Sequence, residues 1–541
     1  MPVDPAESGQ FKLVEDYRLR RGVHSVRDHP IESRIERSPT PDHGIWSQQP
    51  SDGSPAANRR DSTPPMHSSR VNTSSIRCAA AQQPCSSAVA QYNYLMHTQI
   101  RQTWDLTRRA TRTTANLLNR EYFGFVEGHS YLTRSQLEEL RHLATEPDPR
   151  LAQKTERQVA QLASREHAVS FASARMALYA TLQARGIGHG DEVIVTAFTC
   201  AVVCTAVRRT GASIVYCDID AETLGTSPDA LTKSITPATQ AIIAQHSFGI
   251  PCDIRAIRAI ANNHGIFLIE DCALTVGSTV DGSPVGSFGD AAVFSTDHSK
   301  PLNSLIGGFT CTDDADLASS IRATQDSSED LAPAQQSALL SRVLLEARFA
   351  CPEGNSRLVM HDFASNVLSR IRPSTPPFLG ADATPDSPAP YPYPARLPTF
   401  LAYLVSQELV RWPETAVRRR DAHAAIDSAM RELVPEARLP TAMTSARNAI
   451  IPHRYVFSIT NGAELRDRLA AFIAVDWTWF LEPIVATPAP LSSFGYRASS
   501  CPRAEALGRD MINIPLPQCV ASCEQLLAHL HRTLEVRADR R

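Results

Sequence analysis

Only four lysines occur among the 54 lysines and arginines of this 541-residue chain: Lys12, Lys154, Lys233 and Lys300. Lys300 stands 29 positions after Asp271, which closes the apolar run ending Ile269, Glu270, Asp271. A lysine amine condenses with an aldehyde to form an imine (Schiff base), and arginine, always protonated, cannot replace it. A carboxylate after a buried strand can keep a pyridine nitrogen protonated, so that the ring accepts electrons from a carbanion. An acid after one strand and a lysine after the next is the pairing that pyridoxal 5'-phosphate (PLP) chemistry requires. Composition alone leaves Lys300 equally compatible with a solvated surface position.

A phosphate-bearing cofactor also needs an anion site. Ser173, Ala174 and Arg175 open a predicted helix directly after the apolar run Ala168 to Phe171. A helix N-terminus offers free N–H groups and a partial positive charge, although Ser173 also suits an ordinary N-cap. Ser295, five residues before Lys300, offers a hydroxyl for the same phosphate. Gly307 and Gly308 permit close approach of backbones.

Elements that must position these residues follow from periodicity. Between 166 and about 325, short β-branched runs alternate with amphipathic stretches. Strands are expected at 192–196, 213–217, 240–245, 266–270, 291–295 and 308–312. Helices are expected at 174–185, 201–209, 253–263 and 314–324. That alternation predicts an α/β fold with a mainly parallel sheet sandwiched by helices. Functional residues of such sheets gather at the carboxyl ends of strands, where Asp271 and the 295–300 loop fall. Residues 1–88, rich in Pro, Ser, Arg and Asp, are expected to be a disordered tail. Residues 89–165 form an N-terminal helical segment, in which Thr133 to Leu140 looks like a capped helix start. Residues 326–395 are irregular, with one apolar helix near 339–349 and a Pro-rich end, and are expected to be an insertion or linker. Residues 396–541 are expected to be a smaller α+β domain, with strands at 455–459 and 511–514.

Composition narrows the function classes. Net charge is −3 and pI about 6.6, so nothing points to nucleic acid or an anionic membrane. No apolar run reaches the ~20 residues that span a bilayer, and the N-terminus has no apolar signal core. Twelve scattered cysteines complete no zinc site, so no metal is expected and free thiols in the cytoplasm are the simplest reading.

In order along the chain, GIGHGDEVIV (186–195), VYCDID (215–220), ITPATQAII (235–243), HSFGIPCD (246–253), IEDCA (269–273), VGSFGDAAVFS (285–295), CPRAEA (501–506) and INIP (512–515) appear. This set resembles the DegT/DnrJ/StrS-type sugar aminotransferases, PLP enzymes of fold type I, from about 130 to 541 with an interruption over 326–395. The resemblance implies an aminotransferase that takes nitrogen from an amino-acid donor and passes it to a small-molecule keto substrate, such as a nucleotide-linked sugar, and it implies a homodimer. It assigns Lys300 as Schiff-base lysine and proton shuttle, Asp271 as pyridinium partner and Ser295 as phosphate ligand. Ala174 and Arg175 take the place of the family's phosphate-holding Gly-Thr pair.

Several positions depart from that pattern. Leu274 replaces a glutamine that touches the ring. Cys200 falls where an aromatic stacks on it, with Phe198 as the candidate substitute. Ile306 interrupts a Gly-Glu-Gly-Gly run. Pro394 falls where an asparagine reaches the partner subunit's phosphate. Two rival readings stay open. One is a sugar dehydratase on the same fold; its relatives usually carry His at the lysine position, so Lys300 opposes it and the nearby His298 is a decoy. The other is a PLP-fold binding or regulatory protein with reduced or no turnover, which the altered ring contacts favour and Lys300, Asp271 and Ser295 oppose.

Overall fold

Seven short runs of Val, Ile, Phe and Ala build the central sheet of the computed structural model. The structure describes residues 123–124, 128–351, 353–369, 379, 389–475, 479–487, 489–517 and 520–535. The tail expected at 1–88 lies outside the described residues. The strands are β1 His167–Phe171, β2 Glu192–Thr196, β3 Ser213–Cys217, β4 Thr239–Gln245, β5 Phe267–Asp271, β6 Ala291–Ser295 and β7 Gly308–Thr312. Their order across the sheet is β1-β7-β6-β5-β4-β2-β3. β7 runs antiparallel to both neighbours, and every other pairing is parallel. Every residue of β5, β6 and β7 is buried, as expected for strands covered by helices on both faces.

The register sets the functional edge. Gly308, first residue of β7, pairs with Phe171, the last of β1, and with Ser295, the last of β6. The carboxyl ends of β1, β2, β5 and β6 therefore share one side with the amino end of β7. Everything the sequence marks as chemical leaves the sheet on that side.

Before β1 come α1 (Arg134–Thr145) and α2 (Pro149–Leu162). Thr133 and Gln136 form a full capping box at the start of α1, which satisfies two otherwise orphaned N–H groups. Between strands lie α3 (Ala174–Ala184), α4 (Ala201–Arg209), α5 (Pro228–Ser234) and α6 (Ile254–His264). After β7 come α7 (Ala315–Ser327), α8 (Pro333–Phe349) and α9 (Asn355–Ser369). The stretch expected to be irregular from 326 is thus largely helical as far as 369. Pro333 at the first turn of α8 starts that helix six residues before the apolar core of its sequence, because a proline there loses no intrahelical bond.

The 35-residue α10 (Thr399–Leu433) links two hydrophobic clusters. Its first turns bring Phe400, Leu401, Leu404 and Val405 to the core of the large sheet. Its last turns bring Ile426 and Met430 against Tyr455, Phe457, Ile512 and Ile514. Those four lie on β8 (Arg454–Ser458) and β9 (Met511–Pro515), an antiparallel pair. Helices α11 (Gly462–Leu469), α12 (Pro502–Asp510) and α13 (Val520–Glu535) complete the described chain. Among the described residues, no helix is long and apolar enough to cross a membrane.

Candidate active site

Lys300 rides on a loop that the hairpin of β6 and β7 closes at its base. Thr296 N–H donates to Gly307 O at 3.0 Å, Ser304 N–H to Thr296 O at 2.8 Å and His298 N–H to Leu305 O at 3.0 Å. Lys300 N–H itself donates to Asp297 O at 2.9 Å. The Asp297 carboxylate accepts from the Ser299 N–H and hydroxyl and pairs with His298 Nδ1 at 2.9 Å. These bonds leave Lys300 partly exposed at the functional edge. Its Nζ lies 4.8 Å from the ring centre of Trp479, within cation–π range. The same ring meets His453 at 5.6 Å and the Arg454 guanidinium at 6.0 Å. Nothing in the sequence around Trp479 marks it, since only the tertiary fold brings it here.

Asp271 ends β5 and is buried. Burial pushes its carboxyl above the usual aspartate range, while the Ala273 N–H (3.0 Å) and the charge of Lys300 act in the opposite direction. An acid held this way lacks a full counter-charge, and a protonated ring nitrogen would supply one. Next to it, Glu270 accepts three backbone N–H groups, from Gly286, Phe288 and Gly289, and contacts His246 Nε2 at 3.0 Å. With Cys272 these residues form a buried cluster of metal-ligand types. The Cys252 N–H donates to His246 Nδ1 at 3.1 Å. That bond directs the other ring N–H at Glu270, and the cluster is consumed by its own hydrogen bonds.

The anion site meets the loop through the β-register. Ser173 bridges Gly307, and a Cβ on Gly308 would stand 2.1 Å from Ala174 N. Only glycine permits that approach of the Lys300 loop to the start of α3. Ser173 is the N-cap of α3, yet its side chain makes no capping bond. Among the described residues, its buried hydroxyl oxygen has no hydrogen-bond partner. Ala174 and Arg175 follow as the first two helical residues, whose N–H groups have no intrahelical acceptor. Ser295, buried at the end of β6, accepts a long contact from Asp297 N–H at 3.4 Å. An orphaned hydroxyl, a helix N-terminus and a second serine fit a phosphate, and the amine and buried acid fit a pyridine aldehyde. These residues suit PLP.

The altered positions separate. Cys200 is the N-cap of α4 and partly exposed. Burial pushes its thiol up, partly offset by the charges of Lys300 and Arg175, which places it at the site. Phe198 is not brought there. It is fully buried, with its ring stacked on Phe480 at 5.3 Å. The alternation that would carry it to the side of Cys200 is broken because Phe198 has φ 73°. Leu274 packs in the same apolar cluster as Phe198 and Phe480, and Ile306 is buried in the core. The Pro-rich stretch does reach the anion site. The Tyr393 hydroxyl donates to Arg175 O at 3.2 Å, the Arg175 side chain donates to Leu379 O at 3.1 Å, and its guanidinium lies over Tyr391 at 5.6 Å.

The fold and this edge define a class: a fold built on a mainly parallel sheet, with its lysine, acid and anion site at the strand ends. Solved structures share the fold. An aminotransferase from Psychrobacter cryohalolentis aligns over 76% of this chain and 99% of its own, with TM-score 0.58 and 19% identity. DesI, crystallised in the presence of its TDP-sugar product, aligns over 78% of this chain and 96% of its own, with TM-score 0.56 and 23% identity.

The chain belongs to the DegT/DnrJ/EryC1/StrS aminotransferase family, whose model matches residues 147–344 and 383–525. Among curated relatives, the spore coat polysaccharide biosynthesis protein SpsC of Bacillus subtilis is 41% identical over 170 residues, 31% of this chain and 44% of SpsC. The UDP-N-acetyl-3-dehydro-alpha-D-glucosamine 3-aminotransferase of Acidithiobacillus ferrooxidans is 41% identical over 172 residues, 32% of this chain and 47% of that protein. The chain thus matches a little under half the length of these two relatives.

Proposed function

We propose that this protein is a PLP-dependent aminotransferase acting on a keto group of a nucleotide-linked sugar. The observation that carries this reading is the convergence of Lys300, Asp271 and the orphaned Ser173 hydroxyl on one edge of the sheet. The name of the Acidithiobacillus relative supports the substrate class. When bound, PLP supplies an aldehyde for the lysine amine and a ring that accepts the electron pair left when a C–H bond loses its proton. Ser173 Oγ, Ser295 Oγ and the N–H groups of Ala174 and Arg175 would hold the phosphate. Asp271 would keep the ring nitrogen protonated. Lys300 Nζ would first anchor the group and then, displaced by the amino-acid donor, take the proton from that donor's α-carbon. In the second half-reaction the same Nζ would return a proton to the former keto carbon of the sugar. Cys200 and Trp479 would border the amine.

We place the protein in the cytoplasm as a homodimer, with 166–325 as the cofactor-binding part and 396–541 as a smaller α+β part. Nine described cysteines are free thiols, which suits a reducing compartment. The direct test is transfer of nitrogen from an L-amino acid to UDP- or TDP-linked keto sugars, followed by mass spectrometry, on purified protein supplied with PLP. An amino sugar formed only with PLP and Lys300 present supports the reading. PLP binding without transfer to any keto sugar would favour the binding-protein reading, to which the burial of Leu274 and Ile306 in packing already lends weight.

A further inference from the structure

Two segments outside the family match meet behind the Lys300 loop. His129 precedes residue 147, where the match begins, and Glu346 follows residue 344, where its first stretch ends. Both side chains are buried, at 0% and 1% exposure. His129 Nε2 lies 3.0 Å from Asn303 O, three residues after Lys300. A carbonyl oxygen only accepts, so Nε2 must carry a hydrogen. His129 Nδ1 lies 3.1 Å from Glu346 Oε2, off the line of a good hydrogen bond. A neutral ring with Nε2–H would turn the Nδ1 lone pair toward that carboxylate. Only the imidazolium satisfies both contacts.

Surrounding charges favour the same state. Glu346 is also held by Arg342 at 2.7 Å, and Arg342 reaches Asp362 at 2.6 Å. Glu408 of α10 faces the ring, paired with Arg411 at 3.3 Å. The Tyr131 ring lies at 6.2 Å. On the loop side, His298 is paired with Asp297. Burial opposes the charge on His129, but Glu346, Glu408 and the Asn303 carbonyl outweigh it, so the imidazole is raised above its ordinary value.

We propose that His129, clamped as an imidazolium between Glu346 and the Asn303 carbonyl, is a positioning residue that holds the Lys300 loop in place. Helix α8 supplies the counter-charge, so Glu346, just past the first stretch of the family match, acts on the Lys300 loop from behind. The assignment of Lys300 rests on the function proposed above; the grip on the loop does not. Because the folded-state value of His129 is raised, its contribution is fully present below the ordinary histidine value and is lost as pH rises through the raised one.

Backbone hydrogen–deuterium exchange of the peptide spanning 296–305 tests the grip, with the β4 peptide as reference and intrinsic rates corrected. Short labelling pulses start below the ordinary histidine value and extend upward in pH. In the wild-type apoprotein, loop exchange relative to β4 should rise roughly tenfold in one step as pH increases. Glu346→Gln should move that step to lower pH. His129→Gln should abolish it and exchange fast throughout. Dialysis should show weaker PLP binding by both variants. A wild-type loop with no step, or a His129→Gln loop as protected as wild type, overturns the proposal, and the wild-type series decides even if a variant fails to fold. Wild-type protein that shows the step but never binds PLP would support the clamp and count against the proposed function alone.

Discussion

The Nζ of Lys300 stands 4.8 Å from the centre of the Trp479 ring, across 179 positions of sequence. The aromatic surface beside the amine therefore comes from the C-terminal part of the chain. Cys200, four residues after the end of β2, stands where the family resemblance implies an aromatic. A cation over an indole face contributes about 0.5–2 kcal/mol. Trp479→Ala should weaken PLP binding by roughly threefold to tenfold, and Trp479→Phe should retain most of the affinity. Equilibrium dialysis of the three proteins checks this, and equal affinities would separate Trp479 from the site.

Ser173→Ala isolates the anion site. Loss of a helix N-cap ordinarily costs about 0.5–2 kcal/mol, but the Ser173 side chain makes no capping bond. The apoprotein should therefore lose less than about 0.5 kcal/mol in urea denaturation, while PLP affinity falls roughly tenfold. A normal capping loss with unchanged PLP affinity would make Ser173 an ordinary cap.

Asp271→Asn separates stability from chemistry. Burial raises the Asp271 carboxyl, so its contribution to the apoprotein is greatest below the ordinary value of about 3.9 and declines as pH rises through the raised one. Above that range the Asn apoprotein should melt at or above the wild-type temperature. PLP should stabilise it less, and turnover should fall roughly a hundredfold or more. Near wild-type transamination by Asp271→Asn would remove the role given to this carboxylate.

Gly308→Ala tests the register that joins the loop to α3. Its Cβ would meet Ala174 N and Cα at 2.1 and 2.2 Å, and backbone cannot swing aside as a side chain can. The variant should lose about 1–3 kcal/mol of stability and bind PLP more weakly, measured by urea midpoint and dialysis. A midpoint equal to wild type would show that the two backbones are not held together as described.

What the sequence showed depended on the range of the interaction. Strands β2, β3, β6 and β7 fall where the apolar runs placed them, whether buried throughout as in β6 and β7 or mostly half-buried as in β3. The positions of Asp271, Ser295 and Lys300 are legible because the first two end such runs and the third follows five residues later. β1 was visible only as an apolar run ahead of α3, because its partner β7 lies far along the chain. Helix α9 and the first turn of α8 were missed, since their apolar residues form no single stripe. Trp479, His129 and Glu346 carry no local signal, and only tertiary packing brings them to the Lys300 loop. Phe198 was misplaced because its left-handed backbone conformation defeats the alternation of an extended segment.

The central claim is that Lys300 carries the cofactor. The most direct measurement is borohydride reduction of the PLP-loaded protein followed by peptide mass spectrometry, aided by a chain with only four lysines. One phosphopyridoxyl tag is expected, on the peptide containing Lys300, and it should be lost in Lys300→Ala. A tag on Lys12, Lys154 or Lys233, or no tag on any lysine, would contradict it.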